Sequence, residues 1–137
     1  MVTIKTTFNE LDKLHYKNSI ITIGSFDGVH LGHKKIFDKM FSISNQYKNE
    51  NRTVLITFDP HPVSVLKTKD IYRYFLSDNI DEKLLTLEKF NVEIVIVLKF
   101  DELVSKISAK DFFDKIITCF NPIDVVMGHD NGFGHKR

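Results

Sequence analysis

Runs of consecutive apolar residues alternate along this chain with stretches in which apolar residues recur every three or four positions. The unbroken runs, Ser19–Gly24, Thr53–Phe58, Val92–Leu98 and Ile123–Met127, are rich in β-branched residues and read as strands covered on both faces. Val2-Thr3-Ile4 is a candidate short strand, and Phe8 to Leu14 a helical turn or ordered lead-in. The helical rhythm first appears from about Gly32 to Asn49, with Ile36, Phe37, Met40, Phe41, Ile43 and Tyr47 as its apolar stripe. A second helix, capped by Ser77 or Asp78, uses Leu84, Leu85, Leu87 and Phe90. After Phe100-Asp101 a helical stretch is interrupted near Ser105–Ser108. Ser108-Ala109-Lys110-Asp111 then forms a capping box, with Asp in place of the usual Glu, and opens a helix to about Phe120, where Asn121-Pro122 ends it.

Buried strands that alternate with amphipathic helices call for an α/β fold: a parallel sheet flanked by helices and joined by right-handed crossovers. Numbering the four runs in chain order, the expected strand order is 3-2-1-4. Ligands gather in such sheets beyond the carboxyl ends of the strands, where strand order reverses. The glycine- and proline-rich corners of this chain follow the first, second and fourth runs.

Composition narrows the class of function. The chain has 137 residues, 42% of them apolar, enough for one domain with a real core. Its 19 basic and 18 acidic residues leave a net charge of +1, which argues against a nucleic-acid surface as the main business of the chain. No segment reaches bilayer-spanning length and the amino terminus carries no signal-peptide pattern, so the expectation is a cytoplasmic protein. Cys119 has no second cysteine to pair with and sits in an apolar helical segment, as a buried structural thiol does.

The corner after the first run carries the candidate chemistry. Ile23 leads into Gly24-Ser25-Phe26-Asp27-Gly28-Val29-His30-Leu31-Gly32-His33. A helix start gathers unpaired N–H groups and the positive end of the macrodipole, which suits an anion. His30 and His33, three residues apart, fall on one side of the first turn, so the expectation is a phosphate at a strand–turn–helix junction. Convergence of His30, His33 and His61 on zinc is the rival reading, but no Cys or carboxylate stands at helical spacing to finish that site. Asp27 is either a turn-forming residue or a carboxylate close enough to the phosphates to need a cation. Asp59-Pro60-His61-Pro62 sets a stiff corner with a histidine between prolines.

These motifs resemble those of the bacterial FAD synthetases, within the HIGH-motif nucleotidyltransferase superfamily. The matching residues are Gly24-Ser25-Phe26-Asp27-Gly28-Val29-His30-Leu31-Gly32-His33, then Phe58-Asp59-Pro60-His61-Pro62, then Gly128-x-Asp130-x-x-Phe133-Gly134. The third departs from the family pattern at Asn131 and Gly132. The resemblance runs from about residue 19 to 137. It implies a Rossmann-like nucleotidyltransferase fold and transfer of AMP from ATP to FMN, giving FAD and pyrophosphate, with Mg²⁺ accompanying ATP. It further implies His30 and His33 as catalytic residues, and Gly24, Ser25, Phe26, Asp27, Gly28, His30, Gly32, His33 and Asp130 around ATP. Pro60, His61, Pro62 and Phe133 fall to the flavin, with no metal held by the protein itself. The family's later Ser-Ser-Thr-x-x-Arg segment and riboflavin kinase domain do not occur in these residues. The expectation is therefore an FMN adenylyltransferase-like domain over 1–137, incomplete at its carboxyl end, with ATP and FMN as partners rather than nucleic acid or membrane. The alternatives are a weakly active or non-catalytic nucleotide- or flavin-binding fragment, or a related nucleotidyltransferase with another acceptor. Oligomeric state is not legible.

Overall fold

Five parallel strands form one sheet in the computed structural model, which describes residues 1–26, 31–59 and 80–127. In chain order the elements are β1 (Val2–Thr6), a 3₁₀ turn (Asn9–Lys13), β2 (Ser19–Ile23), α1 (Leu31–Gln46), β3 (Arg52–Asp59), α2 (Ile80–Glu88), β4 (Ile94–Lys99), α3 (Glu102–Ser105), α4 (Ala109–Phe120) and β5 (Pro122–Val125). The strands lie in the order β1-β4-β3-β2-β5, and every pairing is parallel.

The four expected runs thus take the expected order 3-2-1-4. The candidate strand at Val2 becomes a fifth, edge strand, with Val2 in register with Ile94 and Thr6 with Leu98. β2 is buried along its whole length, and β3 and β4 along nearly all of theirs. That is why these segments read as unbroken apolar runs rather than alternating ones.

The two faces of the sheet are covered by different helices. Ile20, Leu55, Val95 and Val97 pack with Phe37 and Met40 of α1 and Leu87 of α2. Ile21, Ile23, Val54, Ile56, Ile96 and Leu98 pack with Phe112, Ile116 and Phe120 of α4 and Leu11 of the 3₁₀ turn. The crossovers β2–α1–β3 and β3–α2–β4 step one way across the sheet, and β4–α4–β5 steps back past both strands. Right-handed connections running in opposite directions must use opposite faces, as these do. The reversal puts the switch point between β2 and β5.

Local signals set the helix ends. Ser108 Oγ accepts the Asp111 N–H at 3.1 Å, the N-cap half of the expected capping box. At the far end Asn121 adopts φ 43°, a left-handed conformation that asparagine tolerates, and its N–H reaches the Ile117 carbonyl. Asp101 Oδ1 caps α3 through the Val104 N–H at 2.9 Å. Lys115 ties α4 to the 3₁₀ turn, pairing with Asp12 at 2.8 Å and lying over the Phe8 ring. The expected cap at Ser77 or Asp78 lies outside the described residues.

One helix face differs from expectation. Leu85, assigned to the apolar stripe of α2, is 64% exposed, while Lys83 is buried at 5%. The inner stripe of α2 runs through Lys83, Leu84 and Leu87, and Leu85 falls on the solvent side. Burial of a lysine on that stripe bears directly on the site.

Candidate functional site

Because all five strands are parallel, their carboxyl ends share one edge, and the ends of β2, β3 and β5 lie there together. β2 and β5 flank the switch point, so the crevice of a doubly wound sheet opens where Gly24 and Met127 leave the sheet.

At that edge the chain beyond β2 keeps one more sheet bond, Gly24 N–H to the Ile56 carbonyl at 3.0 Å. The Ser25 carbonyl then turns inward and accepts two donors. Thr57 Oγ1 donates at 3.0 Å, and Lys83 Nζ donates at 2.5 Å while also approaching Thr57 Oγ1 at 3.4 Å. Phe26 follows with φ 52°, a conformation that costs a bulky side chain steric strain and persists only where its surroundings hold it. Those surroundings are aromatic. The Phe26 ring, 3% exposed, lies 5.9 Å from Phe37 and 5.0 Å from the imidazole of His33. Phe37 in turn meets Phe90 at 4.7 Å, so a row of rings runs from the core to His33.

His33 stands in the first turn of α1, partly exposed, and the helix begins at Leu31. The amino end of a 16-residue helix and an imidazole on its first turn face the same edge as the Gly24 turn. Lys34 pairs with Asp38 at 2.9 Å on the outer face, a solvated i, i+4 pair worth a few tenths of a kcal/mol.

Of the residues expected around ATP, Gly24, Ser25, Phe26, Gly32 and His33 fall within the described residues, and the structure gathers them at one junction. Asp27, Gly28, His30 and Asp130 lie outside them, as do Pro60, His61, Pro62 and Phe133, the expected flavin contacts. Two of the three histidines weighed for zinc, His30 and His61, are therefore also outside. Asp59, the residue before that corner, ends β3 at the carboxyl edge, and its carbonyl accepts the Phe100 N–H.

Sequence reasoning missed Thr57 and Lys83. Each had a signal. Thr57 is a hydroxyl near the end of a mostly apolar strand, and Lys83 is a charge in the apolar phase of a helix. Cys119 conforms to expectation. It is 2% exposed near the opposite, amino edge, where its carbonyl accepts the Tyr16 N–H. Burial, then the nearby Asp12 carboxylate, pushes its thiol up from the ordinary 9.0, which disfavours a nucleophilic thiolate.

A doubly wound parallel sheet, with β2 ending at Gly24 beside the switch point and α1 starting at the same edge, is a Rossmann-like α/β fold. Comparison with known proteins narrows this further. The family model described as FAD synthetase matches residues 12–137, and the chain belongs to that family. A bifunctional riboflavin kinase/FMN adenylyltransferase of Buchnera aphidicola subsp. Schizaphis graminum is 37% identical over 88% of this chain and 38% of its own length. The Bacillus subtilis protein of the same description is 34% identical over 98% of this chain and 42% of its own. A Listeria monocytogenes FAD synthetase is 34% identical over 87% and 47%. The chain thus spans less than half the length of each. A Streptococcus pneumoniae crystal structure, described as a macrolide-efflux protein, superposes with a TM-score of 0.80 at 24% identity, over 98% of this chain and 43% of that one. That likeness concerns the fold alone. Among the described residues no helix is long and apolar enough to cross a membrane.

Proposed function

We propose that this chain transfers the adenylyl group of ATP to FMN, giving FAD and pyrophosphate. The observation that carries the reading is the junction of Gly24, Ser25, Phe26 and His33 at the switch point, in a chain of the FAD synthetase family.

A phosphate oxygen of FMN attacks the α-phosphorus of ATP. The bond from that phosphorus to the bridging oxygen breaks, and pyrophosphate departs with the electron pair. The nucleophile is already an anion, so no protein base and no covalent intermediate are required. The protein contributes alignment of the two substrates and stabilisation of the charge that develops on the phosphate oxygens. ATP arrives as its Mg²⁺ complex, the ion held largely by phosphate oxygens and water.

In this reading the amino end of α1 and the imidazoles of His30 and His33 donate to the phosphates. Gly24, Ser25, Phe26, Asp27, Gly28, Gly32 and Asp130 surround the nucleotide, while Pro60, His61, Pro62 and Phe133 bound the flavin. An aromatic ring at Phe133 suits an isoalloxazine, because stacking is favourable and orients it. The protein works in the cytoplasm beside its substrates.

Isothermal titration with ATP and with FMN, run beside chromatographic detection of FAD, tests the proposal. Binding of both substrates with appearance of FAD is the expected result. ATP binding with transfer to a different acceptor, or no binding of either, overturns it.

A further inference from the structure

Among the described residues Lys83 is the one charged side chain buried in the interior. It lies on the inner stripe of α2, with Leu84 and Leu87 beside it, and is 5% exposed. Lysine is almost never buried to this degree unless its charge is paired or richly hydrogen-bonded. Core packing alone therefore gives no reason for an ammonium here.

The geometry points to a positioning role in nucleotide binding, a reading that rests on the proposed function: Lys83 Nζ and Thr57 Oγ1 together hold the Ser25 carbonyl, and so set Phe26, whose ring backs His33. Both groups donate to that one oxygen, and Lys83 comes from a helix 58 residues further along the chain. A carbonyl oxygen with two donors is fixed in direction. The Ser25–Phe26 peptide is a rigid trans unit, so fixing its C=O also fixes the Phe26 N–H, which points away from Lys83 and Thr57. The cation polarises the same peptide and makes that N–H a stronger donor.

The next residue is Phe26, at φ 52° with its ring against His33. A rotation of the Ser25 peptide is thus transmitted to the ring that backs the imidazole. A lysine reaching from α2 to the end of β2 couples the α2 layer, through the Ser25 carbonyl and the Phe26 ring, to the start of α1. It is a positioning residue rather than a catalytic one.

The test uses Lys83→Met, which keeps length and apolar bulk and removes the charge, and Thr57→Val, which removes the hydroxyl from the same triangle. ATP affinity is measured by titration, kcat and KM are measured for each substrate, and amide hydrogen exchange is followed across the sheet. We expect Lys83→Met to fold and to lose kcat/KM for ATP by about 10²-fold, the scale of a small misplacement of reacting groups. The KM for FMN should move much less, and exchange should quicken around Gly24–Phe26 while β4 keeps its protection. Thr57→Val should shift ATP binding the same way by a smaller factor, and carries the test if Lys83→Met fails to fold. Wild-type ATP kinetics in a folded Lys83→Met protein overturn this inference alone, as does quickened exchange spread evenly over the sheet. A wild-type chain that binds no ATP overturns it together with the proposed function.

Discussion

The imidazole of His33 rests on the ring of Phe26, centroids 5.0 Å apart and planes inclined by 57°. The contact joins a turn residue with a positive φ to the first turn of the helix that follows it. Phe26 is itself held by Phe37, so the orientation of His33 is anchored in the core rather than left to the surface. Shortening the ring to an aliphatic side chain keeps most of the buried volume and removes the backing. Phe26→Leu is expected to fold, and to lower kcat for FAD formation by about 10- to 100-fold through a misplaced imidazole. Unchanged kcat in a folded variant would show that His33 finds its place without the ring.

Direct removal of either imidazole is a more severe change. His30→Ala and His33→Ala are each expected to slow adenylyl transfer by about 10²–10³-fold, the usual effect of losing one preorganised donor to developing charge. Steady-state kinetics with saturating ATP and FMN read this out. Wild-type turnover from either variant would make that histidine structural only.

Cys119 gives a prediction with a defined pH sense. Its thiol is neutral and raised above the ordinary 9.0 by burial, with Asp12 adding to the effect. Native protein should resist alkylation at pH 8 and react fully once unfolded. A folded value above the unfolded one means that this contribution to stability is complete below about pH 9 and is lost as pH rises through the native value. Thermal unfolding measured between pH 7 and pH 10, with Cys119→Ala for comparison, separates it from other groups. Rapid alkylation of the native protein would contradict the burial.

Ser108→Ala removes the side-chain acceptor for the Asp111 N–H at the start of α4. A lost N-cap costs about 1 kcal/mol of stability. Because α4 covers the face of the sheet opposite α1, the effect should fall on stability, with kcat changed far less than in the histidine variants. A denaturation curve with an unchanged midpoint would deny the cap its role.

These residues show how far the sequence carried and where it stopped. Strands β2, β3 and β4 were legible because parallel strands buried on both faces leave unbroken apolar runs, and the sheet adopts the order expected for the four runs. β1 was only a candidate, since a half-exposed edge strand has neither a solid run nor a clean alternation. The turn after β2 announced itself through its glycines and histidines. Lys83 did not, because its partner is the backbone of Ser25, 58 positions away, and no local pattern exposes a contact to a carbonyl. The Leu84-Leu85 doublet makes the phase of α2 ambiguous: the pattern reads Leu85 as core, whereas Lys83, two residues earlier, takes the inner place.

The central claim is that the α-phosphate of ATP, and not the γ-phosphate, becomes joined to FMN. Incubating the chain with FMN and ATP labelled at one position or the other, then separating the flavins, tests it most directly. Label from the α-position should appear in FAD and label from the γ-position in pyrophosphate, with both signals reduced about 10²-fold or more in His33→Ala. Label from the γ-position in the flavin pool, or α-label that never enters it, would contradict the account.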